Sequence, residues 1–289
     1  MELIVPMAAD GAALQDYLRA ALADVPRWAI DETLRARDVR RGRERLGAQD
    51  AVRGGETLRV FLPKKALGRS AAPRVQVVYE DANILLLDKP QGVSVLEENG
   101  GDDMLTRARA HVAAQGGDAQ ALRLCHRLDA QTGGLLLLSK NEAAYAAAYE
   151  AFEKRTMDKR YVCRVAGCPS PGEAELHAYL RKDAQNAQVR VFAHPVPGAL
   201  PIATAYRVLE AGDISRLQVH LITGRTHQIR AHLAFIGHPI IGDDRYGSRD
   251  LNRREGARAQ QLWATDLTFH ASGALAYLEG KTFHTDAPF

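Results

Sequence analysis

Three stretches of this chain join a tight turn to ionisable side chains: His126–Asp129, Lys159–Tyr161 and Thr223–Arg230. In the first, His126-Arg-Leu-Asp129 passes through Thr132-Gly133-Gly134 into four consecutive leucines, Leu135 to Leu138. A polar turn feeding a short unbroken apolar run reads as a loop entering a strand buried on both faces. Asp129 is then expected at the edge of a rigid core, facing a cleft, where a carboxylate is useful. In the third stretch Gly224 ends a strand and Arg225 stands at the mouth of the following helix. A guanidinium there can pair bidentately with a carboxylate or a phosphate. If Arg225 meets Asp129, it keeps that acid ionised and fixes its orientation. On spacing alone, a purely structural ion pair fits these residues equally well.

Other chemistries lose their support. His227 and His232 are five residues apart and do not share a helical face, and no acidic partner builds an H-E-x-x-H arrangement around His220, His227, His232 or His238. No metal is expected. No serine sits in a G-x-S-x-G elbow, and no G-x-x-x-x-G-K-[ST] phosphate loop occurs. The three cysteines, Cys125, Cys163 and Cys168, build neither a disulfide framework nor a metal-binding spacing.

The elements that must position these residues are legible in part. Leu14, Tyr17, Leu18 and Leu22 define one face of a helix. Pro26 suits the first turn of a second helix carrying Trp28, Ile30 and Leu34, and Thr57–Leu62 reads as a strand ended by Pro63. The small, basic segment 64–73 is the expected linker. Beyond it, strands are expected at Val75–Tyr79 and Ile84–Asp88, a helix over 103–115, and a helix capped by Asn141 with Ala144, Ala148 and Phe152 along one side. Alternation marks a strand through Tyr161, Cys163 and Val165, two strands around a loop between Glu173 and Phe192, and strands at Ala203–Leu209 and Ser215–Leu221. A helix over Thr226–Ile236 packs through Ile229, Leu233 and Ile236, and the chain closes with strands near Trp263–Phe269 and Ala274–Leu278. Strands outnumber helices and often follow one another, which indicates α+β rather than regular βαβ alternation.

Charge adds a second theme. Residues 1–73 hold 13 Lys/Arg against 10 Asp/Glu, so the net +3 of the whole chain resides there and the remainder is balanced. Six arginines, Arg35, Arg37, Arg40, Arg41, Arg43 and Arg45, crowd one short stretch. A charge run is commonly a solvated face, but concentration in an otherwise balanced chain favours contact with a polyanion. The apolar runs are far too short to span a membrane, no signal peptide is expected, and sparse cysteine fits a reducing, cytoplasmic setting. Nothing demands more than a monomer or an obligate protein partner.

His126-Arg-Leu-Asp-x-x-Thr-x-Gly-Leu-Leu-Leu-Leu138 resembles the signature of the RluA-type pseudouridine synthases. Four further blocks occur in the order that family has them: Leu87-Asp-Lys-Pro-Gln-Gly92, Lys159-Arg-Tyr161, Leu221-Ile-Thr-Gly-Arg-Thr-His-Gln-Ile-Arg230 and His238–Gly247. The likeness covers residues 74–289. It implies a catalytic domain with a mixed, largely antiparallel sheet, and isomerisation of uridine to pseudouridine in ribosomal or transfer RNA, without a cofactor. It matches Asp129 to the attacking aspartate and Tyr161 to the active-site tyrosine that stacks on the uracil. Arg225 orients the acid in this reading. Ile222 would lie on the other face of the base. Arg127 would fill the gap left by the flipped nucleotide, since chemistry on a stacked base requires its extrusion. His126, Lys89 and Arg230 would contact RNA or hold the motif together. Residues 1–63 resemble a divergent form of the helical RNA-binding module of a ribosomal small-subunit protein. The chain departs from the family at Gly133, where serine is usual, and at Trp263-Ala264, which replaces Leu-His-Ala. A non-catalytic RNA-binding or RNA-folding factor on the same scaffold is the alternative.

Overall fold

The computed structural model describes residues 1–22, 25, 27–63, 75–96, 102–183 and 188–289. The expected linker at 64–73 and the helix-initiating Pro26 lie outside them. The chain divides into two compact units: Met1–Arg74 with Leu96–Arg107, and Val75–Val95 with Ala108–Phe289.

The first unit pairs two amphipathic helices with a small antiparallel sheet. Strand β1 (Glu2–Ile4), helices α1 (Leu14–Ala21) and α2 (Arg27–Arg35), and strands β2 (Val39–Arg41), β3 (Glu44–Arg45) and β4 (Thr57–Val60) follow in order. The sheet runs β1-β4-β2-β3. The i, i+3, i+4 face of α1 is buried as Leu14, Tyr17 and Leu18, and these pack with Ile30, Leu34, Val39, Leu46, Leu58 and Val60 in a core of their own. Trp28 of α2 is half-buried.

In the second unit, strands β5 (Gln76–Glu80) and β6 (Ile84–Lys89) precede helix α3 (Met104–Ala114), which begins in the first unit, and strands β7 (Arg123–Leu124) and β8 (Gly133–Ser139). Helix α4 (Glu142–Glu153) and strands β9 (Asp158–Ala166), β10 (Glu173–Asp183), β11 (Gln188–Phe192), β12 (Leu200–Glu210) and β13 (Ile214–Leu221) come next. Helices α5 (Gln228–Phe235) and α6 (Arg249–Arg254), β14 (Leu262–Thr268) and β15 (Thr282–His284) complete it. The large sheet runs β11-β10-β12-β13-β9-β14-β8-β6-β5, with β15 on β14 and β7 on β8. Its named strand pairs are antiparallel except β14 with β8, so the α+β class with a mixed, largely antiparallel sheet holds.

All seven residues of β8 are buried, as expected of a run of leucines between two neighbouring strands. Asn141 caps α4, its side chain accepting from the Ala144 N–H at 2.9 Å. One expectation fails. Ala274–Leu278 is not a strand but part of a 3₁₀ turn over Gly273–Leu278. Its buried residues are Leu275 and Leu278, three apart, the spacing that eclipses side chains in a 3₁₀ helix. The alternation of small residues around them imitates a strand.

The register explains how distant residues reach one place. Ala264 in β14 pairs with Tyr161 of β9 on one side and Gly134 of β8 on the other. Tyr161 also pairs with Val219 of β13, three residues before Ile222. One cross-section of the sheet therefore carries the tyrosine, the exit of the Asp129 turn and the approach to the Thr223–Arg230 turn.

Candidate active site

The Asp129 turn is tied down on every side. The Lys89 ammonium is fully buried and donates to the carbonyls of Pro90 (2.9 Å), Val93 (2.7 Å) and Ala130 (2.9 Å). Three donors meet three acceptors, so of the two tasks open to this lysine, RNA contact or holding the motif, its contacts perform the second. Gly92 N–H adds a bond to the Ala130 carbonyl, and Gln91 donates to the carbonyls of Gln131 and Gln260. Gln260 in turn donates to the Thr132 hydroxyl at 2.9 Å, while Thr132 N–H closes the turn onto the Asp129 carbonyl at 3.0 Å.

His126 serves the same end. Its Nε2 accepts from the Leu137 N–H at 3.0 Å, and its ring lies 5.0 Å from that of Phe152. Burial, and then the nearby Lys159 charge, depress its pKa to about 3, so the ring is neutral and carries its hydrogen on Nδ1. Of the two tasks open to it, holding the motif is the one its contacts perform.

The carboxylate of Asp129 meets a guanidinium, but not that of Arg225. Arg230 Nη1 donates to Asp129 Oδ2 at 2.9 Å. Arg225 is exposed, and its side chain has no hydrogen-bond or ion-pair partner among the described residues. The expected Asp129–Arg225 pair is therefore replaced by Asp129–Arg230. The reason is local. Thr223 Oγ1 and Arg225 N–H both donate to Gln228 Oε1 (2.8 and 3.1 Å), and Gln228 Nε2 donates to Ala203 O and Thr204 Oγ1. This turn leaves Arg225 outside and buries the first turn of α5, in which Arg230 is only 4% exposed.

Arg230 is itself held by residues that carry no role in the reading of the sequence. Asp243 takes it bidentately, from Nε at 2.7 Å and Nη2 at 3.1 Å, and Tyr246 lies against the guanidinium at 5.3 Å. Burial opposes the Arg230 charge, yet Asp243 and then Asp129 more than reverse it and raise its pKa. Asp243 is likewise penalised by burial, and its bonds from Arg230 and from the Tyr246 and Arg245 amides hold it below its usual range. The only sequence signal for Asp243 is its place in the Gly-Asp-Asp-Arg-Tyr block.

Tyr161 is buried, and burial, then the Asp129 charge, push its phenol well above the ordinary value. It remains an O–H group with no hydrogen bond among the described residues. Ile222 is half-buried just past β13. Arg127 is exposed, two residues before Asp129, with no side-chain partner among the described residues.

The two departures Gly133 and Trp263 are one feature. They pair in register across β8 and β14, and a Cβ on Gly133 would fall 2.1 Å from Trp263 Cζ3. The indole occupies the room a side chain at 133 would need. Gly134 is a glycine for a different reason: φ is +105°, and a Cβ there would lie 2.2 Å from the Ala264 carbonyl oxygen.

The family model described as RNA pseudouridylate synthase matches residues 83–235, more than half of the chain. The chain belongs to the RNA pseudouridylate synthase family. It is 32% identical over 274 residues to the ribosomal large subunit pseudouridine synthase C of Vibrio parahaemolyticus, covering 91% of this chain and 84% of that one. The protein of the same name from Escherichia coli K12 is also 32% identical, over 304 residues, 99% of this chain and 92% of its own. Among solved structures, human RNA pseudouridylate synthase domain containing 1 shares the fold, with a TM-score of 0.62 at 23% identity over 76% of this chain and 86% of that chain. Asp243, Gln260 and Trp263 lie beyond the span matched by the family model, so the site is completed by the C-terminal part of the chain.

Proposed function

We propose that the protein converts uridine to pseudouridine in ribosomal RNA of the large subunit, with Asp129 as the attacking group. The observation that carries this reading is the Arg230–Asp129 pair, clamped from behind by Asp243 and lying within the electrostatic reach of a buried tyrosine. A nucleophilic carboxylate must be oriented, and a guanidinium that is itself locked bidentately from behind supplies that orientation. Asp129 keeps 27% of its side-chain surface exposed, enough to be reached, while Arg230 is sealed beneath it. Tyr161 would stack on the uracil, Ile222 would bear on its other face, and Arg127 would enter the stack behind the flipped nucleotide. The relatives' names supply the choice of ribosomal over transfer RNA.

Residues 1–63 fit a divergent RNA-binding module. Arg35, Arg37 and Arg43 are exposed and lack an ion-pair partner among the described residues, whereas Arg41 is taken up by Glu56 at 2.5 Å. Unpaired arginines in a basic stretch suit a phosphate backbone.

Mapping pseudouridines in ribosomal RNA from cells with and without the gene tests the substrate, and the expected result is one or more sites lost from the large-subunit RNA. Asp129→Asn is expected to abolish formation of the modified base in vitro. An unchanged map together with activity on transfer RNA alone would overturn the ribosomal assignment. Tight RNA binding with no uridine changed in any pool would favour the non-catalytic alternative.

A further inference from the structure

His227 stands beside Asp129 with no task in the reading above, and four features of its surroundings give it one. The first is its backbone. With φ +54° and ψ 19° it adopts the left-handed conformation at the entry to α5, and its side chain does not cap the helix. A residue with a Cβ spends roughly 1–2 kcal/mol in that conformation, which glycine would largely avoid. The second is its neighbour. Tyr246 OH lies 3.0 Å from His227 Nδ1 and accepts from the Val189 N–H at 3.0 Å. The third follows from counting hydrogens. The hydroxyl has one, and Nδ1 is its only acceptor among the described residues, so Nδ1 accepts and the ring hydrogen resides on Nε2. The fourth is direction. Nε2 lies 3.8 Å from Asp129 Oδ2, the same oxygen that Arg230 Nη1 already holds at 2.9 Å.

We propose that His227 is a positioning residue whose Nε2–H closes onto Asp129 Oδ2 when the target uridine is bound. Oδ2 is then held by two N–H donors and Oδ1 is the oxygen presented to the nucleotide. This inference rests on Asp129 being the attacking group. A gap of 3.8 Å is too long for a hydrogen bond as it stands, and contacts of this kind commonly tighten only when substrate is present. The charged groups facing the ring are Asp129, Arg230, Arg245 and Asp243. Burial foremost, with the two arginines, keeps the imidazole neutral against the pull of the carboxylates, so it acts as a directed dipole rather than as a second cation. Tyr246 contacts both Arg230 and His227, and so sets the two donors on Oδ2 relative to each other.

The experiment separates the two ring nitrogens. Glutamine places an amide N–H where Nε2 stands, and asparagine places its polar group near Nδ1. Single-turnover rates and RNA affinity are measured for wild type, H227Q, H227N and D129N on the same ribosomal RNA fragment. H227N, which keeps a partner for Tyr246 but loses the donor to Oδ2, is expected to slow turnover about 100-fold, against about fivefold for H227Q, with RNA affinity little changed in either. H227N as fast as wild type would overturn the proposal. Equal slowing of both variants, or loss of RNA affinity matching loss of rate, would also overturn it, because the Tyr246 contact or RNA contact would then be the role. D129N at the wild-type rate would instead remove the reading of Asp129, and the proposal would fall with it.

Discussion

Around Asp129, charge is locked. Arg230 is gripped by Asp243 and Asp129, and Lys89 by three carbonyls. Around Arg35–Arg45, charge is left loose, with Arg41 tied to Glu56 but Arg35, Arg37 and Arg43 exposed without an ion-pair partner among the described residues. The difference suits the task proposed for each region. A reacting carboxylate must be held to a fraction of an ångström, and a buried network does this because an incorrect geometry leaves buried charge uncompensated. A phosphate backbone presents many equivalent charges, and mobile arginines can follow it without fixed positions. Substitutions in the first region should therefore act steeply and those in the second by degrees.

The sharpest break falls on Arg230. Arg230→Lys retains the charge but cannot hold Asp243 bidentately and reach Asp129 as well, so turnover should fall about 10²–10³-fold in a single-turnover assay. Arg230→Ala strands two carboxylates and should cost about 3–5 kcal/mol of stability in urea unfolding. A lysine variant with wild-type turnover would show that charge alone suffices and that the locked geometry is not needed.

Next in size is the packing behind the turn. Gly133→Ser drives a side chain into Trp263 and should destabilise the protein by about 1–3 kcal/mol. In combination with Trp263→Leu the loss should largely disappear, and a double-mutant cycle measures the coupling. Additive losses would separate the two positions again.

Smaller still is the effect of pH. His126 is half-buried and His232 buried, and both are neutral, with loss of solvent as the first cause and pKa values lowered to about 3 and about 4. In the unfolded chain both bind protons below their ordinary value of about 6.5. Their contribution is therefore complete above that pH and is lost as pH falls from there toward the folded values, by up to about 1.4 kcal/mol per pH unit for each ring. His126→Gln should flatten this slope in denaturation curves taken between those limits, and an unchanged slope would place the proton uptake elsewhere.

The mildest change belongs to the loose region. Replacing Arg35, Arg37 and Arg43 together by alanine should weaken RNA binding and lower the salt slope of log K by about 2–3, with KM affected more than kcat. A loss of kcat at saturating RNA, or an unaltered salt slope, would break the comparison.

The turn at Asp129 and its buried strand were legible because leucines in a row leave little choice. The identity of the arginine was not. Residues 228–233 of α5 are all buried, so hydrophobic periodicity could not say which polar side chain points inward, and the turn-facing Arg225 looked the better candidate. Asp243 and Asp244 are indistinguishable by type, yet one is sealed and the other exposed. Gly133 and Trp263 each stood out as a departure from the family pattern, but they are 130 positions apart in sequence. Only the parallel pairing of β8 with β14 makes them neighbours. The 3₁₀ turn at Gly273–Leu278 was missed because Ala274, Ala276 and Leu278 alternate as a strand would, while the burial has a period of three.

The sealed ammonium of Lys89 has a practical consequence. An amine that acylating reagents reach only when its carbonyl cage opens is a clock for that opening. Its labelling rate, set against that of exposed lysines such as Lys154, would time how often the Asp129 turn comes apart. RNA bound over the turn should slow the clock, and a loosened variant should speed it.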